Sequence, residues 1–226
     1  MTSIGIAQRE GTAGPIADAA AVYTSTRTSR TGIALIDGMG HDEDIVRLAP
    51  MLAETAARVG AVRGPLAGLL SAGLLVSDPG PDAVGVLAVR REDGGTDVVW
   101  AGDCRAYHWD GALRQLTTDH NLAAYLSRAA GTAGDVPVTA LADFVSVSLG
   151  QAVPATVPYV WVPAGGLLIL TTDGIHDQIP EEEITALVRD HAADPQALAD
   201  ALVAAARPDD AGYRDDATVV VISRSS

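Results

Sequence analysis

The chain has 226 residues, a length that suits one globular domain or a domain with a small appendage. Hydrophobic residues make up 48% and charged residues 19%, which excludes disorder or a low-complexity scaffold for the whole. The net charge of −14, with arginine as the sole basic residue type, excludes a basic nucleic-acid-binding surface and leaves an acidic chain able to hold cations.

The first residues, MTSIGIAQREGTAGP, have neither the basic start nor the apolar run of a signal peptide. No apolar run approaches the roughly 20 residues that span a bilayer, so a soluble cytoplasmic protein is expected. Strands are predicted at Ala19–Thr24 and Thr31–Ile36. An amphipathic helix over Asp44–Val59 places Ile45, Leu48, Ala49, Leu52 and Ala56 at three- and four-residue spacing. Pro65–Val76 repeats the pattern with Leu66, Leu69, Leu70 and Leu74. Further strands are predicted at Ala83–Arg90, Asp97–Ala101 and Arg105–Trp109. REDGGTD and WDGAL carry the Asp-Gly and Gly-Gly chemistry of tight hairpins, so these neighbours should pair antiparallel. Cys104 is the only cysteine, which excludes an intrachain disulfide and a thiolate zinc site and suits a reducing compartment.

A helix near Leu122–Ala130 and a connection over Gly131–Pro137 come next, then strands at Phe144–Ser148, Tyr159–Val162 and Leu167–Thr172. Two more helices follow Pro180 and Pro195, where proline fits a first turn and Glu181, Glu182 and Glu183 suit the positive helix N-terminus. Arg207–Tyr213 connects to a last strand, Ala217–Ser223. Strand blocks separated by helix pairs indicate an α+β fold, read as one domain over residues 1–226.

Aspartates fall repeatedly where apolar strands end. Asp37-Gly38 follows Ile33–Ile36, Asp173-Gly174 follows Leu167–Thr172, and Asp103 follows Val98–Gly102. Asp215-Asp216 stands just before the last strand, and Asp18 just before Ala19–Thr24. One strand–Asp–Gly step by itself is a turn. Several together bring like charges close, which costs stability unless a cation neutralises them. Oxygen-only ligands favour magnesium, manganese or calcium over zinc or copper.

The strings ALIDGMGH, WAGDCRAYHWDGALRQLTTDH, LLILTTDGIHDQIPEEEI and RDDATVVVI occur in this order. Together they resemble the successive motifs of the bacterial metal-dependent protein serine/threonine phosphatases of type 2C, over essentially the whole chain. The resemblance implies a four-layer α-β-β-α sandwich, two antiparallel sheets flanked by helix pairs, with the metal site at one edge between the sheets. It implies two or three Mn2+ or Mg2+ ions per chain, with Asp37 bridging two of them and the Gly38 carbonyl binding one. Asp173 and Asp215 match further ligands, Asp103 an acid of a third metal site, and Asp18 the last residue of the N-terminal motif, counted with them as a metal-site residue.

The implied reaction is in-line attack by metal-activated water on phosphoserine or phosphothreonine, without a covalent enzyme intermediate. The implied partner is a phosphorylated protein, the product of a serine/threonine kinase, and neither nucleic acid nor membrane insertion is expected of this monomer. Cys104 lacks a CxxxxxR phosphate loop, which argues against a cysteine-phosphatase mechanism. His41, His108, His120 and His176 invite general-acid roles, with His41 nearest the metal motif and His120 read as structural.

The chain departs from the family pattern in several places. Ala17 precedes Asp18, Ala13 stands where the phosphate-binding arginine is expected, and the substitutes are Arg9, given a longer loop, or Arg27 or Arg30 from the next hairpin. DGMGH is one glycine short, and Pro81–Val86 lacks the usual Gly-Thr-Thr. Two alternatives therefore accompany the protein phosphatase: a degenerate phosphatase fold serving as a binding or regulatory module, and a phosphohydrolase of small phosphoesters.

Overall fold

Short runs of Val, Ile, Leu and Ala between turn residues become strands because branched side chains fill a pleated, buried surface. The computed structural model describes residues 3–122 and 145–223. Its strands are β1 Ile4–Arg9, β2 Ala19–Thr24, β3 Thr31–Gly38, β4 Ala83–Arg90, β5 Thr96–Ala101, β6 Arg105–Trp109, β7 Leu113–Gln115, β8 Tyr159–Val162, β9 Leu167–Thr171 and β10 Ala217–Ser223. They form two five-stranded sheets, ordered β1-β10-β9-β6-β7 and β2-β3-β4-β5-β8. All pairings between these strands are antiparallel.

Three buried clusters define the layers. Ile33, Leu35, Val86, Ala88, Val98, Leu168, Leu170 and Val220 meet between the sheets. Helices α1 (Glu43–Arg63) and α2 (Pro65–Gly73) cover the outer face of one sheet, packing Ile45, Leu52 and Leu69 on Ala34, Ile36 and Leu87. Along β3, alternate residues thus serve two cores, so the strand reads as a continuous apolar run. Two C-terminal helices, Glu181–His191 and Pro195–Ala205, cover the other sheet through Ile184, Val188, Leu198 and Leu202. The result is the expected four-layer α+β sandwich.

The differences from expectation have local causes. β1 was not predicted, because Gly5 interrupts its apolar pattern; a Cβ there would lie 2.2 Å from the Pro195 carbonyl oxygen, so close packing of the last helix requires glycine. The second helix stops at Gly73 rather than Val76, and Leu74, which extended the apolar spacing, is 84% exposed. The segment from Val145 to Ser148 is no strand. Val145 forms one bridge with Asn121, the Ser146 N–H donates to the His120 carbonyl at 2.7 Å, and the Ser148 hydroxyl turns to Asp82. The predicted helix at Leu122–Ala130, beyond its first residue, and the Gly131–Pro137 connection lie outside the described residues.

Candidate active site

The cleft lies where β3, β9 and β10 begin or end. Asp37 and Gly38 close β3 opposite Val84 and Ala83 of β4. A Cβ on Gly38 would come within 2.5 Å of Ile45 and 2.8 Å of the Ala17 carbonyl oxygen, so packing rather than backbone angle demands glycine. After β9, Thr172 begins a one-turn helix, α3 (Asp173–His176), in which the Asp177 N–H donates to the Asp173 carbonyl at 2.8 Å. Gly174 lets the start of β10 pass close by, since a Cβ there would lie 2.0 Å from the Asp216 carbonyl oxygen. Thr172 and Thr218 fasten the two chain segments together. The Thr172 N–H donates to the Thr218 carbonyl at 3.1 Å, and the Thr218 N–H to the Thr172 hydroxyl at 3.0 Å.

These elements enclose a cleft of about 440 Å³. Asp37, Asp103, Asp119, Asp173, Asp177, Asp215 and Asp216 line it, with Arg105 as the one arginine among the described residues there. That guanidinium is already engaged, donating to both Asp119 oxygens at 2.7 and 3.1 Å. Desolvation pushes the Asp37 carboxyl well above the usual carboxylate range, and Asp173, Asp18, Asp103 and Asp215 push it further. Asp173 is raised in the same way, by desolvation and then by Asp215 and Asp103. Desolvation is also the main cause that lifts Asp103 to about 6.

Asp18 lies behind this wall, buried, and accepts hydrogen bonds from Thr218 Oγ1 at 2.6 Å and Thr172 Oγ1 at 3.0 Å. Burial raises it to about 7 against the opposing pull of these hydroxyls. Asp216, equally buried, ties down the loop between β1 and β2. Its two oxygens accept from the Gly11 N–H at 2.6 Å and the Ala17 N–H at 2.7 Å. His41 stands at the cleft with Nδ1 3.6 Å from Asp216 Oδ2.

Among the described residues, no three His, Cys, Asp or Glu side chains gather tightly enough to cage an ion unaided. The carboxylates line an open cleft instead. That arrangement fits a hard cation such as Mg2+, which keeps several waters and takes only one or two carboxylates directly. Crowded carboxylates whose charge is offset by one engaged arginine also fit a cation better than they fit each other.

A family model for stage II sporulation protein E (SpoIIE) matches residues 110–225, just over half of the chain. The chain belongs to the SpoIIE family of PPM-type phosphatases. No curated protein matches the sequence significantly. Among solved structures, the Streptococcus agalactiae (S. agalactiae) serine/threonine phosphatase superposes with a TM-score of 0.82 at 18% identity, covering 100% of both chains. The PPM Ser-Thr phosphatase MsPP from Mycobacterium smegmatis gives 0.77 at 24%, covering 99% of this chain and 98% of that one. The Mycobacterium tuberculosis phosphatase PstP/Ppp gives 0.74 at 20%, covering 100% and 99%. Identities this low establish the shared fold.

In this SpoIIE-family chain, the structure brings Asp37, Gly38, Asp103, Asp173 and Asp215 to one cleft. Arg9 goes elsewhere. At the end of β1 its guanidinium donates to the Ala206 carbonyl beyond the last helix, outside the residues that line the cleft. Sequence reasoning passed over Arg105, Asp119, Asp177 and Tyr213 as lining residues. The clue for Arg105 and Asp119 was present, because one follows GDC and the other precedes His120 in TTDH. His120 Nδ1 accepts from the Gly102 N–H at 3.2 Å and its ring stacks on Trp100. His176 is buried against Thr171, and burial with Arg105 nearby holds it well below the usual histidine range.

Proposed function

We propose that the chain is a divalent-cation-dependent phosphatase that hydrolyses phosphoserine and phosphothreonine in proteins, with residues 1–226 acting as one domain. The charge of the cleft carries this reading: seven aspartates against a single arginine that Asp119 already holds. A phosphomonoester carries about −1.5 to −2 near neutral pH, and such a cleft repels it unless cations intervene.

Asp37, Asp173, Asp215 and the Gly38 carbonyl are the groups that would hold those ions, with Asp103 serving a third. Their oxygen-only chemistry suits Mn2+ or Mg2+. When bound, two or three such ions would supply an activated water for in-line attack and neutralise the phosphoryl oxygens. The chain's own share is placement. Strand ends hold the carboxylates in a rigid frame, and two threonines hold Asp18 behind them. His176, kept neutral by burial, adds no positive charge for the phosphate. Burial and the neighbouring Asp37 and Asp103 also push the Cys104 thiol up, so it stays protonated and water remains the nucleophile.

The neighbours support the substrate class, since those above are described as serine/threonine phosphatases and MsPP was solved with cacodylate, a phosphate-like oxyanion. They also support a single domain, because the match runs over nearly their whole length. No helix among the described residues is long and apolar enough to cross a membrane. The phosphoproteins assigned here as substrates are the products of a serine/threonine kinase, met in the cytoplasm by a monomer.

A second reading, a non-catalytic binding module, draws on Ala13 and on the turning of Arg9 to Ala206. Hydrolysis of a phosphothreonine peptide separates the two. Release of phosphate that requires Mn2+, stops with EDTA and is lost in Asp37→Asn is the expected result. A folded protein that releases none is a binding module, and one that cleaves only small arylphosphates is a phosphohydrolase of small esters.

A further inference from the structure

Pro81–Val86, where the family's Gly-Thr-Thr is missing, contains a side chain that the function above leaves unused. The carboxylate of Asp82 accepts the Ser148 hydroxyl at 2.5 Å, the Gly150 N–H at 3.0 Å and the Ala83 N–H at 2.7 Å. The Leu149 N–H donates to the Ala83 carbonyl at 2.8 Å, and Leu149 itself is buried in the core beneath α1 and α2. Gly73 of α2 closes in on the same segment, for a Cβ there would lie 2.3 Å from the Leu149 carbonyl oxygen. Segment 148–150 is thus clipped to the first residues of β4 by one carboxylate and one main-chain hydrogen bond.

Both ends of this clip reach the cleft. On one side, the backbone carbonyl of Asp82 accepts the Met39 N–H at 2.9 Å. A trans peptide sets its C=O opposite its N–H, so that bond directs the Gly38 carbonyl away from β4. On the other side, segment 148–150 continues back to Val145, which bridges to Asn121; both residues line the cleft. We propose that Asp82 is a positioning residue for cation binding, its carboxylate fixing through main-chain contacts both the Gly38 carbonyl and the Val145 wall. It touches neither ion nor substrate and acts through the peptide between Gly38 and Met39. One acceptor group, the Asp82 carboxylate, thus anchors this strand end.

This inference rests on the metal-dependent reading, and the test separates the two. Mn2+ binding is measured directly, by isothermal titration and by the loss of the free-ion EPR signal, on wild type, Asp82→Ala, Asp82→Asn and Ser148→Ala. Removing groups that orient a ligand from behind typically costs 10–100-fold in metal affinity. Asp82→Ala is expected to weaken Mn2+ binding by about tenfold or more. Asp82→Asn, whose side-chain oxygen still accepts both N–H groups and whose NH2 can donate to Ser148, should stay within about threefold of wild type. Ser148→Ala should shift binding in the same direction by a smaller factor, and it keeps the inference testable should Asp82→Ala not fold. A purely structural clip would lower Tm in Asp82→Ala and leave the affinity unchanged, which overturns the inference. Equal losses in Ala and Asn overturn it too, and so does a folded Ser148→Ala with wild-type affinity if Asp82→Ala cannot be prepared. Wild type that binds no Mn2+ at all overturns the metal-dependent reading first, and this one with it.

Discussion

Asp37, Asp173 and Asp215 stand at or beside the ends of strands and line the cleft, whereas the loop between β1 and β2 brings Ala17 and Asp18 up behind them without a ladder of its own. Main-chain pairing fixes the first group: β3 against β4, and β9 against β10. The loop is held from outside, by Asp216 on the Gly11 and Ala17 N–H groups and by Thr172 and Thr218 on Asp18. A site built in this way keeps its carboxylate frame while the loop varies. That accounts for a chain in which the strand-borne aspartates follow the family pattern and the loop departs from it.

The comparison can be broken at three points. Asp173→Asn attacks the strand-borne wall and should lower Mn2+-dependent phosphopeptide turnover by about 10³-fold, equivalent to roughly 4 kcal/mol of lost electrostatic stabilisation. Its Tm without metal should hold or rise, because one of several mutually repelling carboxylates has gone. Steady-state kinetics and calorimetry read both effects, and turnover close to wild type would remove Asp173 from the ligand set.

Asp216→Ala attacks the loop's tether and leaves two main-chain N–H groups without their acceptor. A loss of about 3 kcal/mol in urea unfolding is expected, with KM rising more than kcat falls. If stability is unaffected, the loop is held by something other than Asp216. Arg9→Ala gives the smallest effect. The side chain serves the Ala206 carbonyl, so kcat/KM should stay within about threefold while stability drops by about 1 kcal/mol. A large rise in KM for phosphopeptide would return Arg9 to the phosphate.

Much of this frame was legible in the residues. β4, β6, β8 and β10 run over the predicted ranges; β4 and β10 are Val-rich runs that start directly after Asp82 and Asp216, and β8 lies between Pro158 and Pro163. The two predicted hairpins pair antiparallel as their turn residues require. Where the reading failed, tertiary contact outweighed local pattern. Gly5 weakened the signal of β1 because its missing side chain makes room for Pro195. Phe144–Ser148 looked like a strand, yet the groups of Ser146 and Ser148 bond to His120 and Asp82.

The sequence by itself determined the strand and helix blocks and the carboxylates at strand ends, because hydrophobic period and strand-end Asp-Gly steps are local features of the chain; their stacking into four layers came with the family resemblance. It could not determine direction. Arg9 and Arg105 are both arginines next to strand termini, and only the packed structure sends one to the Ala206 carbonyl and the other to Asp119 at the cleft. Asp82 and Asp216 likewise read as loop acids until the fold sets Ser148 and Gly150 beside one and Gly11 and Ala17 beside the other. Those partners lie 66 to 205 residues away along the chain, and no local pattern encodes contacts between segments that far apart.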